Sequence, residues 1–340
     1  MLRFRRSAVI VVCAAMVPIG LSAWLVAAKV LAANRARDYE HEAAPEFLFE
    51  QRQMPFQCAD RPQPLPPGYK GPYMTFSSPG VAPYARTRSE TLDIPLVEAP
   101  SLTIASEPTS FIRISGEDRD SWDLKFCAMG EGDTEAEARQ FLQRGSISRT
   151  GSLITLSGGQ PGRTGVRGDL WAQVPRDAPL TVHTIGAIEV RDLNGPLRIS
   201  AVGGRATILR TTGIVQAEGE IVDFAGARGR VMLNSYSEID IKLTGPRFLG
   251  SLSAYGQREV RILVPPGFES PIEVMVDNKK DLVCRADFCS RMKLENHAGA
   301  LVYKKLSDSS DAALDRVWFR SDHSTVVIDN WHASPFSSWR

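Results

Sequence analysis

The sequence predicts an all-β fold: a glycine-punctuated, β-solenoid-like repeat domain with one short helix, preceded by an N-terminal transmembrane helix. The first observation behind this is a run of apolar-x-apolar triplets: Leu180/Val182, Ile188/Val190, Leu197/Ile199, Ala206/Ile208, Val215/Ala217, Val222/Phe224, Val231/Leu233 and Ile239/Ile241. They recur every seven to nine residues, and glycines fall between many of them, at Gly186, Gly195, Gly203, Gly213, Gly219 and Gly229. Alternation marks a strand with one buried face, and glycine supplies the backbone freedom of sharp turns. One such unit cannot bury its apolar face alone. Stacking successive units joins those faces into a continuous core, which is the physical reading of a short fixed repeat. A β-sandwich of regular hairpins is the competing architecture.

The second observation is the N-terminus. Three arginines in Met1 to Arg6 precede an uncharged stretch from Ser7 to Ala28, SAVIVVCAAMVPIGLSAWLVAA. Its 22 residues suffice for a hydrocarbon core of about 30 Å at about 1.5 Å per residue, whereas secretory h-regions run about 7–15 residues. Residues 1–33 are therefore expected to be an uncleaved anchor. Cleavage near Ala32 and Ala33 is the alternative, since Pro18 and Gly20 can end a shorter apolar region. Arginines before the segment favour a cytoplasmic N-terminus, weakly, because Lys29, Arg35 and Arg37 follow it.

Residues 34–100 mix charge with proline, as in PFQCADRPQPLPPGYKGPYMTFSSPG, and are expected to form a stalk. Aromatic residues Phe56, Tyr69, Tyr73 and Phe76 suggest that part of it packs on the domain. Residues 101–340 are expected to be the β-repeat domain. It opens with SLTIAS, SFIRISG and SWDLKFCA, three strand-like pieces with period-two alternation. A helix is expected over TEAEARQFLQR, capped by Asp133, with acids in its first turn, Ala138, Phe141 and Leu142 on one face and Gly145 after it. SLITLSG and GDLWAQVP then resume the strands.

Composition narrows the function. Hydrophobic residues make up 43% and charged residues 23%, an ordinary globular balance. Forty basic against 39 acidic residues leave a net charge of +1, which provides no field to attract nucleic acid. Outside the membrane segment, which holds Cys13, four cysteines remain: Cys58, Cys127, Cys284 and Cys289. In an oxidising compartment an even number favours two disulfides, Cys284 with Cys289 across VCRADFC and Cys58 with Cys127 by elimination. Free thiols and a metal site recruiting His297 are the alternatives, and the cysteine spacing lacks the CxxC of a zinc site.

EAPSLTIASEPTSFIRISGEDRDSWDLKFC, the helix with GSLITLSGG after it, and GDLWAQVPRDAPLTVHTIGAIEVRDLNGPLRISAVGG occur in an order that resembles the bacterial putative-adhesin family of unknown function, the DUF4097 type. The resemblance covers roughly Glu98 to Leu263, with a weaker echo in RVWFRSDHSTVVIDNW. Asn194-Gly195 matches the family's turns, while later turns use Gly-Gly, Thr-Gly or Arg-Gly. The resemblance implies a β-solenoid-like fold and carries over no catalytic residue.

The residues themselves offer little chemistry. Asp322-His323-Ser324 has the residue types of a hydrolase triad, but neighbours on a strand face opposite ways. His41, His183, His297 and His332 are scattered. Arg167-Gly168-Asp169 runs straight into a strand and reads as a chance tripeptide. Gly158-Gly159 and Gly203-Gly204 lack what a phosphate cradle needs and read as turns. The sharper pattern lies in the middle residues of the triplets. If two triplets make one coil, Glu189, Thr207, Asp223 and Asp240 stack on one sheet about 4.8 Å apart, facing outward. Adjacent Asp223 and Asp240 then suit a cation or glycoside cleavage, against the plainer reading of a solvated ladder.

The function expected is a non-catalytic, extracytoplasmic structural or interaction domain, adhesin-like, tethered to the bacterial cell membrane through residues 7–28. An envelope protein or glycan is its expected partner, and no cofactor is required. The alternatives are a polysaccharide-active β-helix using Asp223 and Asp240, a membrane-anchored sensor, and a cytoplasmic polymer-forming β-helix.

Overall fold

The computed structural model describes residue 58 and residues 82–107, 111–158, 164–297, 300–305, 315–321 and 325–331. The chain divides into two units, Met1–Arg52 and Gln53–Arg340, and every described residue lies in the second. The stretch expected to cross the membrane therefore lies outside the described residues. Among those described, no helix is long and apolar enough to cross a membrane.

The described chain is mostly β, with one α-helix. In chain order the strands begin β1 (Tyr84–Pro95), β2 (Leu102–Ser106), β3 (Phe111–Glu117), β4 (Ser121–Gly132), β5 (Ser146–Thr150), β6 (Leu153–Ser157) and β7 (Gly165–Pro175). The triplet region supplies β8 (Leu180–Thr184), β9 (Ala187–Arg191), β10 (Leu197–Leu209), β11 (Ile214–Gly226) and β12 (Arg228–Leu243). Then come β13 (Leu249–Gly256), β14 (Glu259–Val264), β15 (Ile272–Val276), β16 (Leu282–Cys284), β17 (Lys293–His297), β18 (Ala300–Lys305), β19 (Arg316–Ser321) and β20 (Thr325–Asn330). The helix α1 (Glu135–Leu142) lies between β4 and β5.

Two parallel ladders organise these strands. The first runs β6, β2, β8, the leading halves of β10, β11 and β12, then β13, β19 and β15. The second runs β7, β3, β9, the trailing halves of β10, β11 and β12, then β14, β20 and β16. Triplets alternate between them: Leu197 pairs with Val215 and Val215 with Val231 in the first, Ala206 with Val222 and Val222 with Ile239 in the second. All sixteen triplet residues are at most 3% exposed and belong to one hydrophobic cluster, so the inward faces of both ladders meet in one core. Each buried aliphatic side chain contributes about 1.5–3 kcal/mol against exposure. Phe224 and Phe248 meet edge to face within this core, 6.4 Å between centroids.

Strand order along the ladders departs from chain order. β6 and β7 lie outside β2 and β3, and β15 and β16 lie beyond β19 and β20. Antiparallel strands close the ends: β1 on β4 on β7, β5 on β6, and the β17–β18 pair on β15. Strand β1 falls inside the stretch expected as stalk, yet it pairs with β4 over its whole length, from Tyr84 opposite Gly132 to Pro95 opposite Ser121. Between Pro83 and Pro95 the sequence YARTRSETLDI holds no proline and alternates well enough to join a sheet.

The helix is shorter than expected and differently capped. Thr134, not Asp133, is the N-cap: Glu137 N donates to Thr134 Oγ1 (3.2 Å) and the Glu137 carboxylate accepts from Thr134 N (3.2 Å), a reciprocal capping box. Of the expected apolar face only Ala138 is buried. The helix backbone lies directly on β4, where a Cβ at Gly130 would collide with Ala138 O and Leu142 N. A similar approach sets the corner of β10, where Gly203 has φ +68 and a Cβ on Gly204 would strike Gly186 O on the neighbouring rung.

Replacing Gly204 with Ala is expected to cost about 1–3 kcal/mol of unfolding free energy, the usual range for overpacking against backbone. Gly151 also has positive φ but has open space around it. Gly151→Asn should therefore change stability by no more than about 0.5 kcal/mol, because Asn tolerates this conformation. Denaturant titration of both variants checks the contrast.

Candidate functional site

The outward residues of the second ladder form one registered row. Arg113 on β3 pairs with Glu189, Glu189 with Thr207, Thr207 with Asp223, Asp223 with Asp240, and Asp240 with Arg261 on β14. The four residues expected to stack therefore do so on successive rungs. Their surroundings differ from the expectation of bulk water. Asp223 is only 3% exposed and Asp240 is half-buried.

The charges are met by arginines from neighbouring rungs. Arg205 binds Asp223 bidentately through one edge of its guanidinium, with Nη2 2.8 Å from Oδ1 and Nε on Oδ2. Thr207 Oγ1 donates to Asp223 Oδ2 at 2.9 Å. Asp240 is less well served: Arg261 Nε lies 3.8 Å from Oδ1 and Arg205 Nη2 4.0 Å from Oδ2. Arg261 also reaches Glu259 at 3.1 Å, and at the other end Glu189 is held between Arg191 and Arg113. Burial pushes the Asp240 carboxyl up to about 6; the Asp223 charge adds to the rise, while Arg261 and Arg205 oppose it.

This arrangement neutralises carboxylates instead of presenting them. Two shallow, open hollows, ≈ 380 Å³ and ≈ 370 Å³, are lined by residues of the first ladder and its turns, and neither includes Asp223 or Asp240. Sequence reasoning missed Arg205, Arg261 and Arg113. A signal for Arg205 and Arg261 was present, since Arg205-x-Thr207 and Glu259-x-Arg261 place charge two residues apart on the same strand face.

The remaining candidates disperse. Asp169 of the Arg-Gly-Asp tripeptide is 5% exposed, accepts a hydrogen bond from Phe111 N at 3.3 Å and lies 3.6 Å from Arg167. Burial raises its carboxyl above the usual range, so the tripeptide is not displayed. His183 is exposed on β8 and His297 lies on β17. His41, His332 and the Asp322-His323-Ser324 stretch fall outside the described residues. Among the described residues no group of three or more His, Cys, Asp or Glu could hold a metal. The sulfurs of Cys58 and Cys127 are bonded, with Cα atoms 5.7 Å apart, and so are those of Cys284 and Cys289, also 5.7 Å apart. The first bond ties residue 58 to Cys127, a buried residue on the face of β4 opposite Phe126; the second lies at the end of β16, beside the buried Phe288.

The two aspartates should respond oppositely to Asn. Asp223→Asn removes the carboxylate from a charge-assisted pair and is expected to cost about 1.5–3 kcal/mol. Asp240 has its pKa raised from 3.8 to about 6, so the folded state holds the proton more tightly and stability falls as pH rises through this window. Asp240→Asn should therefore stabilise the protein at pH 7.5, by up to about 3 kcal/mol, with the gain vanishing as pH falls below 4. Urea melts across this range test both signs. Chain-entropy arithmetic separates the disulfides too: with sequence separations of 69 and 5, removing the first by Cys58→Ser/Cys127→Ser should cost about 4 kcal/mol and removing the second about 2 kcal/mol. Mass spectrometry of unreduced protein verifies the pairing first.

No family model and no curated protein matches the chain. Among solved structures it is similar to a putative cell adhesion protein from Clostridium sporogenes, at 11% identity and a TM-score of 0.32, covering 72% of this chain and 100% of that one. It is also similar to a putative adhesin from Bacteroides fragilis, at 8% identity and a TM-score of 0.23, covering 72% and 97%. At these scores the alignments add nothing to the fold or the function.

Proposed function

We propose that the chain is a non-catalytic, extracytoplasmic interaction domain of β-solenoid-like build, tethered to the membrane through residues 7–28 and holding both cysteine pairs oxidised. The observation that carries this reading is the neutralised row. Its acids are tied to Arg205 and Arg261 along a stiff ladder, and the Asp223–Asp240 pair lines neither hollow. Acid–base catalysis needs groups that converge on a substrate in a site that excludes water. A registered ladder instead spreads many side chains over a rigid face, which suits shallow multi-point contact.

One observation favours a polysaccharide-active reading as the second choice. Asp240, with its carboxyl near 6, adjoins Asp223 in register, the kind of divided pair that glycoside cleavage uses. The full-length protein in detergent, offered envelope polysaccharides and peptidoglycan fragments, should show no turnover. Turnover that disappears in the Asp223→Asn/Asp240→Asn variant would establish the enzyme instead. External protease should digest the domain in spheroplasts, and carbonate washing should leave the intact chain in membranes. Protection from the protease would overturn the topology.

A further inference from the structure

The outer face of the first ladder differs from the second in one respect: several of its arginines lack carboxylate partners. Arg228 and Arg230 on β12 and Arg316 on β19 are exposed and form no ion pair among the described residues, whereas Arg205, Arg210, Arg247 and Arg261 are all paired. These three line the two hollows, which adjoin at Ser251 and together make a shallow trough open to solvent. Arg230, Ser251 and Arg316 occupy consecutive rungs, placing the two guanidinium stems about 9.6 Å apart. Trp318, half-buried, lines the trough beside Ser253, and Leu249, more than half exposed, adds an apolar surface. Two carboxylates lie nearby, and one of them, Glu273, lines the trough itself beside Arg316 and Trp318. Asp315 Oδ1 accepts from Gly250 N at 2.8 Å, and Glu273 lies opposite Lys304 across the β15–β18 pair.

We propose that this trough binds an acidic polysaccharide, with Arg228, Arg230 and Arg316 gripping its carboxylates and Trp318 stacking on a sugar ring. The proposal rests on the chain being an interaction domain and names the chemistry of its partner. A guanidinium fork matches a carboxylate in two parallel hydrogen bonds, and the spacing over two rungs calls for an extended ligand with repeated charges. A peptide is disfavoured because β12, β13 and β19 are bonded on both sides in the ladder, leaving no main-chain edge for strand addition. The net charge of +1 gives no field that attracts polyanions at long range, so recognition of the ligand is local to these three arginines.

Calorimetry of the full-length protein in detergent with alginate oligosaccharides tests the site, with neutral dextran and poly-glutamate as comparison ligands. Alginate should bind, more weakly as salt rises, and more tightly than either comparison ligand. Arg230→Gln/Arg316→Gln should lose about tenfold or more in affinity. Arg230→Lys/Arg316→Lys should fall between, since charge without the fork is retained, and Trp318→Ala should weaken binding with little change in salt dependence. Absence of alginate binding, or equal binding by the Gln variant, would overturn the site, and poly-glutamate binding as tight as alginate would overturn the sugar assignment. Pull-down from envelope membranes with the same Gln variant separates the two levels. A partner retained by a chain that ignores alginate refutes the trough and leaves the interaction domain standing; loss of partner and alginate alike in the wild type refutes both.

Discussion

Registered parallel stacking of β10, β11 and β12 is the constraint on which the rest of the structure depends. Because each apolar-x-apolar triplet lies directly over the same kind of triplet on the neighbouring rung, burying the flanking residues fixes where the middle residue goes. A slip by one residue would expose the whole apolar set and bury the polar one. The same register that builds the core therefore places Asp223 beside Asp240 and brings Arg205 within reach of both.

The two ladders use that register differently. On the second, charges of opposite sign occupy adjoining rungs and cancel locally: Arg113 and Arg191 on Glu189, Arg205 on Asp223, Arg261 on Asp240 and Glu259. Cancellation is incomplete at Asp240, whose ionised form is costly in the folded state. On the first, the outward rows carry exposed arginines, hydroxyls and a tryptophan with little internal pairing. The row on the second ladder is thus closed on itself, whereas the first carries arginines without carboxylate partners, although the two ladders share β10, β11 and β12.

Much of the core was legible in the sequence, because period-two alternation and glycine spacing are local signals. The eight triplets followed from parity, the row Glu189, Thr207, Asp223, Asp240 from parity together with two triplets per coil, and each strand-like piece before the repeat is a strand. Other features depended on contacts distant in sequence. Nothing local shows that β6 and β7 insert outside β2 and β3, or that Tyr84–Pro95 joins the sheet across from β4. The exposure expected for Asp223 failed because burial of an outward residue depends on what crosses over it, here including a guanidinium one rung away. Thr134 displaced Asp133 as the cap since its Oγ1 accepts from Glu137 N, a choice settled by geometry within one turn.

Spin-label pairs at exposed positions of the first ladder test the registered stacking most directly. Gln216 is the register partner of both Arg198 and Met232, and all three residues are exposed. Labels on Gln216→Cys/Met232→Cys should show strong exchange broadening at about 5 Å between backbones, and labels on Arg198→Cys/Met232→Cys dipolar coupling near about 10 Å. Those two values, rising by one rung per step, are the result predicted by parallel stacking. Separations well beyond about 10 Å for the first pair, as hairpins packed in a sandwich would give, would contradict it.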